Sequence, residues 1–142
     1  MKFLKVASIL ALSGTAAVAE GHADATAGET AFGRQCVSCH VIADADGNVL
    51  AGRAARTGPN LYGMIGQTPG TVDGFRYGPD LVAAGEASGP WTEESLAQYI
   101  MDPTAWVREA SGDGGARSRM SFKVRNPEDA ANIAAFIATF TE

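Results

Sequence analysis

Apolar residues near the end of the chain recur at the spacing of a helix. Counted from Ile133, the next apolar positions come 3, 4 and 7 residues later, at Phe136, Ile137 and Phe140. This spacing places all four side chains on one face of a helix. The segment Asn-Pro-Glu-Asp at 126–129 precedes them, and it combines an N-cap residue with a proline and acids suited to the first turn. The pattern therefore predicts an amphipathic helix that packs one face against a core.

A second helix is predicted just after Trp91. Thr92 is a suitable N-cap, and two acidic residues follow it in the first turn. Leu96, Tyr99 and Ile100 form the apolar face, and Pro103 ends the helix. Asp-Pro at 102–103 is also a favourable start for another short helix, which we expect to reach about residue 110.

The first part of the chain shows a shorter helical pattern. Residues 28–35 are expected to form a short helix, with Gly28, Phe32 and Cys36 on one face. The preceding small and polar residues 20–26 are expected to form a loose tail. Residues 41–57 and 66–78 are rich in turn formers and show no sustained period. We find no strand pattern, so the predicted class is all-α with long loops.

The chain opens with a pattern typical of an export signal. Lys2 and Lys5 precede a short apolar run at residues 6–18, and Ala17–Ala19 has the A-x-A form of a cleavage site. This pattern predicts a signal peptide at residues 1–19 and one mature domain at residues 20–142. An uncleaved membrane anchor is the alternative, although the apolar run is short for a membrane span.

Composition limits the possible partners. Without the predicted signal peptide, nine basic residues face sixteen acidic ones, a net charge near −7. This acidity argues against nucleic acid or anionic lipid as a partner. The chain has 142 residues, 17 of them glycine, which suggests a small core that a bound cofactor would enlarge.

The sequence Cys-Val-Ser-Cys-His at 36–40 is the strongest chemical signal. Cys36, Cys39 and His40 form C-x-x-C-H, the attachment pattern of a c-type haem, in which the thiols bond the porphyrin and the histidine binds iron. A zinc site would need further ligands, and the other histidine, His22, lies in the tail. A redox dithiol expects a preceding strand, which is not predicted here.

A haem with His40 on one side needs a second residue to close the other side. The candidates are Met64, Met101, Met120 and His22. Met64 follows a segment better used on the histidine side. Met101 lies about 200° around its helix from Tyr99, so the two cannot both face one haem squarely. Met120 lies on a glycine-rich segment far along the chain, so it is the best placed of the four.

Several motifs in order resemble those of class I cytochromes c, most closely the bacterial cytochromes c2 and their mitochondrial relatives. The motifs are CVSCH at 36–40, GPNLYG at 58–63, WTEESLAQY at 91–99, Asp-Pro at 102–103, RMSF at 119–122 and the aromatic C-terminal helix. The resemblance spans essentially the whole mature chain. It implies three main helices around one covalent haem, with the terminal helices crossing near Gly28, Phe32 and Phe136.

The resemblance also implies roles for individual residues at the iron. Cys36 and Cys39 would form the thioether bonds, and His40 and Met120 would be the axial pair. The carbonyl oxygen of Pro59 would accept a hydrogen bond from His40.

Other residues would contact the edge of the cofactor. By the same resemblance, Tyr77, Trp91 and Ser118 would contact haem propionates, Tyr99 would touch the sulfur of Met120, and Phe122 would lie beside the exposed haem edge.

The chain departs from the family pattern in several places. Gln67 stands where many relatives have an arginine near a propionate, and Gln35 where a lysine often contributes to docking. The segments between residues 40 and 58 and between residues 103 and 120 are longer than in the mitochondrial pattern. These differences affect the expected interface, but not the expected haem.

The expected function is a soluble periplasmic electron carrier, not an enzyme, and a monomer. Its partners would be a cytochrome bc-type donor and an oxidase or photosynthetic reaction centre as acceptor. A peroxidase or gas-binding haem protein is the rival, and it would need an open sixth position. Basic residues that flank the haem motif and Met120 further predict a positive rim on an acidic molecule. They are Arg34, Arg53, Arg56, Arg117, Arg119, Lys123 and Arg125.

Overall fold

The computed structural model describes residues 22–141, which form five helices and two short strands. In chain order these are α1 (Ala25–Gln35), β1 (Val41–Ala43), β2 (Val49–Gly52), α2 (Pro79–Ser88), α3 (Glu93–Met101), α4 (Pro103–Ser111) and α5 (Pro127–Ala138). The predicted helices at both ends and in the middle of the domain are present. None of the helices within the described range is long and apolar enough to cross a membrane.

Helix α1 begins earlier than the sequence analysis predicted. The side chain of Asp24 accepts hydrogen bonds from the backbone N–H groups of Thr26 and Ala27, at 2.8 and 3.2 Å. The N–H of Asp24 itself donates to the side-chain oxygen of Asn132 at 2.7 Å. Ala25 and Thr26, which were expected to belong to a loose tail, are therefore helical, because the cap and a long-range contact to α5 fix the start of the helix.

Helices α1 and α5 cross at very close range. Gly28 is buried, and a Cβ added to it would overlap the backbone carbonyl of Asn132 and lie 2.8 Å from Cβ of Phe136. The rings of Phe32 and Phe136 pack with their centroids 5.5 Å apart. The predicted crossing of the terminal helices near these residues is confirmed.

Helices α3 and α4 begin at the predicted caps. Thr92 and Ser95 form a reciprocal capping box at the start of α3, with hydrogen bonds of 3.0 and 3.1 Å. Asp102 caps α4 by accepting from the N–H of Ala105 at 3.1 Å. The predicted apolar face of α3 is buried, and Trp106 of α4 packs against it. Short helices of this length depend on such packing for their stability.

A β-hairpin corrects the expectation that the chain contains no strands. β1 pairs antiparallel with β2, with Ile42 opposite Ala51 and a register irregularity just after this pair. Asp44 shapes the turn by accepting from the backbone N–H groups of Asp46 and Asn48 at 3.0 and 2.9 Å. Strands of three and four residues are too short to show a recognisable alternation, although Ile42 is fully buried.

Residues 79–88 form α2, a helix that was not predicted from the sequence. Gly85, in the middle of the helix, obscured the signal because glycine is unfavourable inside helices. The structure gives a packing reason for it: a Cβ at this position would overlap the backbone of Pro69 and lie 2.9 Å from its Cβ. Helix α2 packs against α4, and this contact supplies the stabilisation that its sequence lacks.

The predicted signal peptide, residues 1–19, lies outside the described residues, as do Glu20 and Gly21. Its cleavage after Ala19 stays a prediction.

Candidate haem site

A cavity of about 550 Å³ lies in the centre of the domain. Helices α1, α3 and α5 contribute to its walls, and the loops that follow β2 and α4 close it. Every site residue predicted from the sequence lines it: Cys36, Cys39, His40, Pro59, Tyr77, Trp91, Tyr99, Ser118, Met120 and Phe122. The rest of the lining is largely apolar and includes Leu96, Ile100, Ile133 and Ile137. A cavity of this size and character suits a mostly apolar planar ligand.

The two cysteines stand at the C-terminal end of α1. Cys36 ends the helix by donating its N–H to Phe32 at 2.9 Å, and the N–H groups of Cys39 and His40 then turn back to the carbonyl of Cys36 at 3.1 and 3.0 Å. Burial, with a smaller contribution from the neighbouring Cys39, raises the pKa of Cys36 to about 12. The Cys36 thiol is therefore un-ionised at neutral pH, and a thioether bond to a porphyrin would likewise place no charge in this buried position.

The orientation of His40 is fixed by the loop that follows the hairpin. Its Nδ1 lies 2.9 Å from the carbonyl oxygen of Pro59. Burial lowers the pKa of His40, and this backbone contact opposes the shift in part. A neutral imidazole that donates from Nδ1 keeps the lone pair of Nε2 for a metal.

Glycine is required beside the His40 ring. A Cβ at Gly58 would lie 2.6 Å from Nδ1 of His40, well inside contact distance. The N–H of Gly58 also donates to the carbonyl of Cys39 at 2.7 Å. The segment therefore packs flat against the imidazole because it has no side chain there.

The hairpin braces this same segment. The side chain of Asn60 donates to the carbonyl of Ala43 at 2.7 Å and accepts from the N–H of Ala43 at 3.0 Å. The N–H of Leu61 donates to the carbonyl of Val41 at 3.0 Å. Asn60 was not among the predicted site residues, although its place directly after Pro59 in a stiff segment was an available signal.

Met120 lines the same cavity and is tied to Tyr99 through Ser118. The Oγ of Ser118 accepts from the N–H of Met120 at 3.1 Å and lies 2.9 Å from the hydroxyl oxygen of Tyr99. Burial raises the pKa of Tyr99, and the Ser118 contact opposes this in part. A neutral hydroxyl is therefore available beside the methionine at neutral pH.

Two of the four candidates for the second axial ligand remain in the structure. Met64 and Met120 both line the cavity, whereas Met101 is not among its lining residues. His22 is exposed at the start of the described chain. Met64 is 7% exposed and belongs to the cluster of core residues, and it follows the segment that holds His40.

Aromatic residues complete the cavity. Trp91 is buried and stacks on Trp106 of α4, with ring centroids 4.8 Å apart. Burial raises the pKa of Tyr77 to about 12, and its ring meets that of Phe75 edge to face. Phe122 is 46% exposed and stands at the rim of the cavity. The predicted contacts of Tyr77, Trp91 and Ser118 with propionates stay predictions.

Comparison with known proteins decides the family. The family model described as Cytochrome c matches residues 25–141, nearly the whole described chain. The chain belongs to the cytochrome c family.

Relatives and solved structures agree with this membership. Cytochrome c2 from Rhodovulum adriaticum is 47% identical over 116 residues, covering 82% of this chain and 91% of the relative. Cytochrome c2 from Cereibacter sphaeroides is 44% identical over 133 residues, covering 93% and 90%. The X-ray structure of cytochrome c2 from Rhodobacter sphaeroides superposes with a TM-score of 0.81 at 43% identity, covering 84% of this chain and 98% of that one. The fold is that of a class I cytochrome c.

The cofactor of this cytochrome is one covalently bound haem c. The residues present fit it: two thiols, a histidine with an oriented ring and a methionine thioether all line one largely apolar cavity. The protein is therefore a monohaem cytochrome whose general function is electron transport.

Proposed function

We propose that this cytochrome is a periplasmic carrier that moves single electrons between membrane redox complexes. The observation that carries the proposal is that His40, held by Pro59, and Met120, held through Ser118, line the same cavity. These two side chains would fill both axial positions of the iron.

His40 and Met120 are the axial ligands in this proposal. The haem supplies a redox centre that gains and loses one electron. A neutral thioether favours the reduced state more than a second imidazole would, and the apolar walls disfavour the extra positive charge of the oxidised state. Both effects raise the reduction potential. Met120 is preferred to Met64 because Met64 follows directly the segment that holds His40.

An iron held by both His40 and Met120 would have no open position, which would disfavour an enzymatic role. A haem peroxidase or a gas-binding protein needs one position open to its substrate. Here the backbone of Met120 is hydrogen-bonded to Ser118, and Ser118 contacts a buried tyrosine of α3. These contacts hold the methionine at the cavity wall and favour a carrier.

Electron transfer requires a partner to approach the haem edge. Phe122 stands exposed at the rim of the cavity, and the exposed Arg34 and Arg119 also line it. We expect this basic rim to dock transiently on a cytochrome bc-type donor and on an oxidase or photosynthetic reaction centre as acceptor. Fast exchange matters more than affinity in such encounters. The carrier would act as a monomer, without nucleic acid and without stable membrane insertion.

The proposed location is the periplasm, after cleavage between Ala19 and Glu20. The basic start, the short apolar run and the A-x-A site of residues 1–19 support export. The mass of the intact protein purified from periplasm would equal residues 20–142 plus one haem. A mass that retains residues 1–19, or that lacks the haem, would contradict this part of the proposal.

The function is tested by mixing the reduced protein with respiratory or photosynthetic membranes from the same organism. Rapid oxidation that stops when the terminal acceptor is inhibited would support the carrier role. Carbon monoxide and hydrogen peroxide provide the contrast, since both need an open axial position. Fast binding of carbon monoxide or sustained peroxide turnover, without oxidation by membranes, would show that the rival function is correct.

A further inference from the structure

Three consecutive residues before Met120 are held by side chains from neighbouring helices. We call residues 112–126, between α4 and α5, the methionine loop. It contains no helix or strand, so its shape depends on contacts with the rest of the fold. The clustered contacts lie at Ala116, Arg117 and Ser118, just before Met120.

Each of these contacts joins a side chain to the loop backbone. Arg108 of α4 donates its Nε–H to the carbonyl of Ala116 at 2.9 Å. Asp80 of α2 accepts from the N–H of Arg117 at 2.8 Å. Thr104 of α4 accepts from the N–H of Ser118 with its hydroxyl at 3.3 Å. Side chains from two different helices therefore fix the path of the loop.

The fixed backbone continues directly to the ligand. Ser118, whose N–H is held by Thr104, accepts from the N–H of Met120 with its own Oγ. Displacing the backbone at residues 116–118 would therefore displace Met120 as well. Neither Asp80, Thr104 nor Arg108 is among the residues that line the haem cavity.

We propose that Asp80, Thr104 and Arg108 are positioning residues that hold Met120 at the iron and so keep the sixth position closed to other ligands. This inference rests on the proposed function in one respect, which is that Met120 is the axial ligand. The proposal also gives a role to the segment between α4 and Met120, which is longer than in the mitochondrial pattern. Its backbone at residues 116–118 reaches the side chains of α2 and α4 that hold the loop.

Glycines make these contacts necessary. The loop begins with Gly112, at φ +71°, and contains Gly114 and Gly115. Glycine-rich backbone gains much conformational entropy when it is released. A loop without side-chain contacts would therefore sample open states more often, and an external ligand would compete more easily with the thioether.

The test uses imidazole as the competing ligand and the oxidised, haem-loaded protein. The variants Asp80→Ala and Thr104→Val each remove one acceptor. One such hydrogen bond corresponds to a few-fold to about tenfold in population. We expect the apparent Kd for imidazole to fall about tenfold in Asp80→Ala, whose partner is at 2.8 Å, and about threefold in Thr104→Val, whose contact is longer.

Conservative variants and matched controls separate positioning from general stability. Asp80→Asn and Thr104→Ser keep an acceptor oxygen and should restore most of the original Kd. Glu86→Ala and Glu109→Ala remove exposed acids from the same two helices and should leave it unchanged. If Asp80→Ala lowers the midpoint of urea unfolding but leaves the Kd for imidazole unchanged, the positioning role is overturned.

The absorption spectrum distinguishes failure of this inference from failure of the proposed function. A methionine-ligated oxidised haem shows a weak charge-transfer band near the red edge of the visible spectrum. If Met120→Ala retains that band, the ligand assignment itself is wrong. If Met120→Ala loses the band while Asp80→Ala and Thr104→Val keep both the band and the original Kd, the ligand assignment stands and the positioning role is refuted.

Discussion

The crossing of α1 and α5 gives a sharp prediction about one added methyl group. Gly28 and Gly33 lie in the same helix. At Gly28 an added Cβ would overlap the backbone carbonyl of Asn132. At Gly33 the added Cβ would have no heavy atom within 4 Å in the described residues apart from its chain neighbours and the surrounding helix backbone. The same substitution to alanine should therefore change stability in opposite directions at the two sites.

The magnitudes follow from two known effects. Alanine is more favourable than glycine inside a helix by about 0.5–1 kcal/mol, which is the whole effect expected at Gly33. At Gly28 the clash acts against this gain. Overpacking a core costs about 1–3 kcal/mol, and the upper end applies because the group in the way is backbone and not the end of a flexible side chain. We expect Gly28→Ala to lower the free energy of unfolding by about 2 kcal/mol.

Urea unfolding of the haem-loaded protein, followed by far-ultraviolet circular dichroism, measures both changes. Gly33→Ala should raise the urea midpoint and Gly28→Ala should lower it. The free energy of unfolding should depend on urea concentration with a similar slope in both variants. Equal shifts in the two variants, or a more stable Gly28→Ala protein, would refute the close crossing of the helices.

Three further predictions concern the site and its rim. Gly58→Ala should displace the His40 ring, because the new Cβ would lie 2.6 Å from Nδ1, and a redox titration should show a changed midpoint potential; an unchanged potential would contradict this. Lys123 donates to Asp102 at 2.7 Å and holds the pKa of that carboxyl below its usual range. The pair of Lys123 and Asp102 therefore contributes its full stabilisation at pH values above the pKa of Asp102 in the unfolded chain. That contribution is lost as the pH falls through the lower pKa that Asp102 has in the folded protein. Lys123→Met should reduce Tm at neutral pH, and the difference should shrink below about pH 4; a difference independent of pH would contradict the pairing. The rate of electron transfer to an acidic-faced acceptor should fall as salt rises, since screening shortens the range of attraction to about 10 Å at 0.1 M. Arg119→Gln should weaken this dependence more than Lys123→Gln, because Lys123 already has an acidic partner; a rate that stays flat or rises with salt would exclude a basic rim.

Much of the fold follows from local sequence signals. The caps at Thr92, Asp102 and Asn126 and the apolar stripe of α5 are short-range patterns, and the structure confirms each of them. The C-x-x-C-H motif is equally local, and it identified the cofactor. These features could be read from the sequence because neighbouring residues alone determine them.

What the sequence analysis missed depends on contacts between distant segments. Helix α2 contains Gly85, which only the contact with Pro69 explains. The start of α1 is secured by a hydrogen bond from Asp24 to Asn132, 108 residues away. Likewise, the approach of Met64 to the same cavity as Met120 could not be predicted from the spacing of methionines.

The red-edge absorption band of the oxidised protein shows whether Met120 fills the sixth position of an electron-carrier haem. The measurement compares the wild type with Met120→Ala, Met64→Ala and Met101→Ala at neutral pH. If Met120 is the ligand, the band is present in the wild type, is lost in Met120→Ala and is kept in the other two variants. Loss of the band in Met64→Ala with retention in Met120→Ala would contradict it.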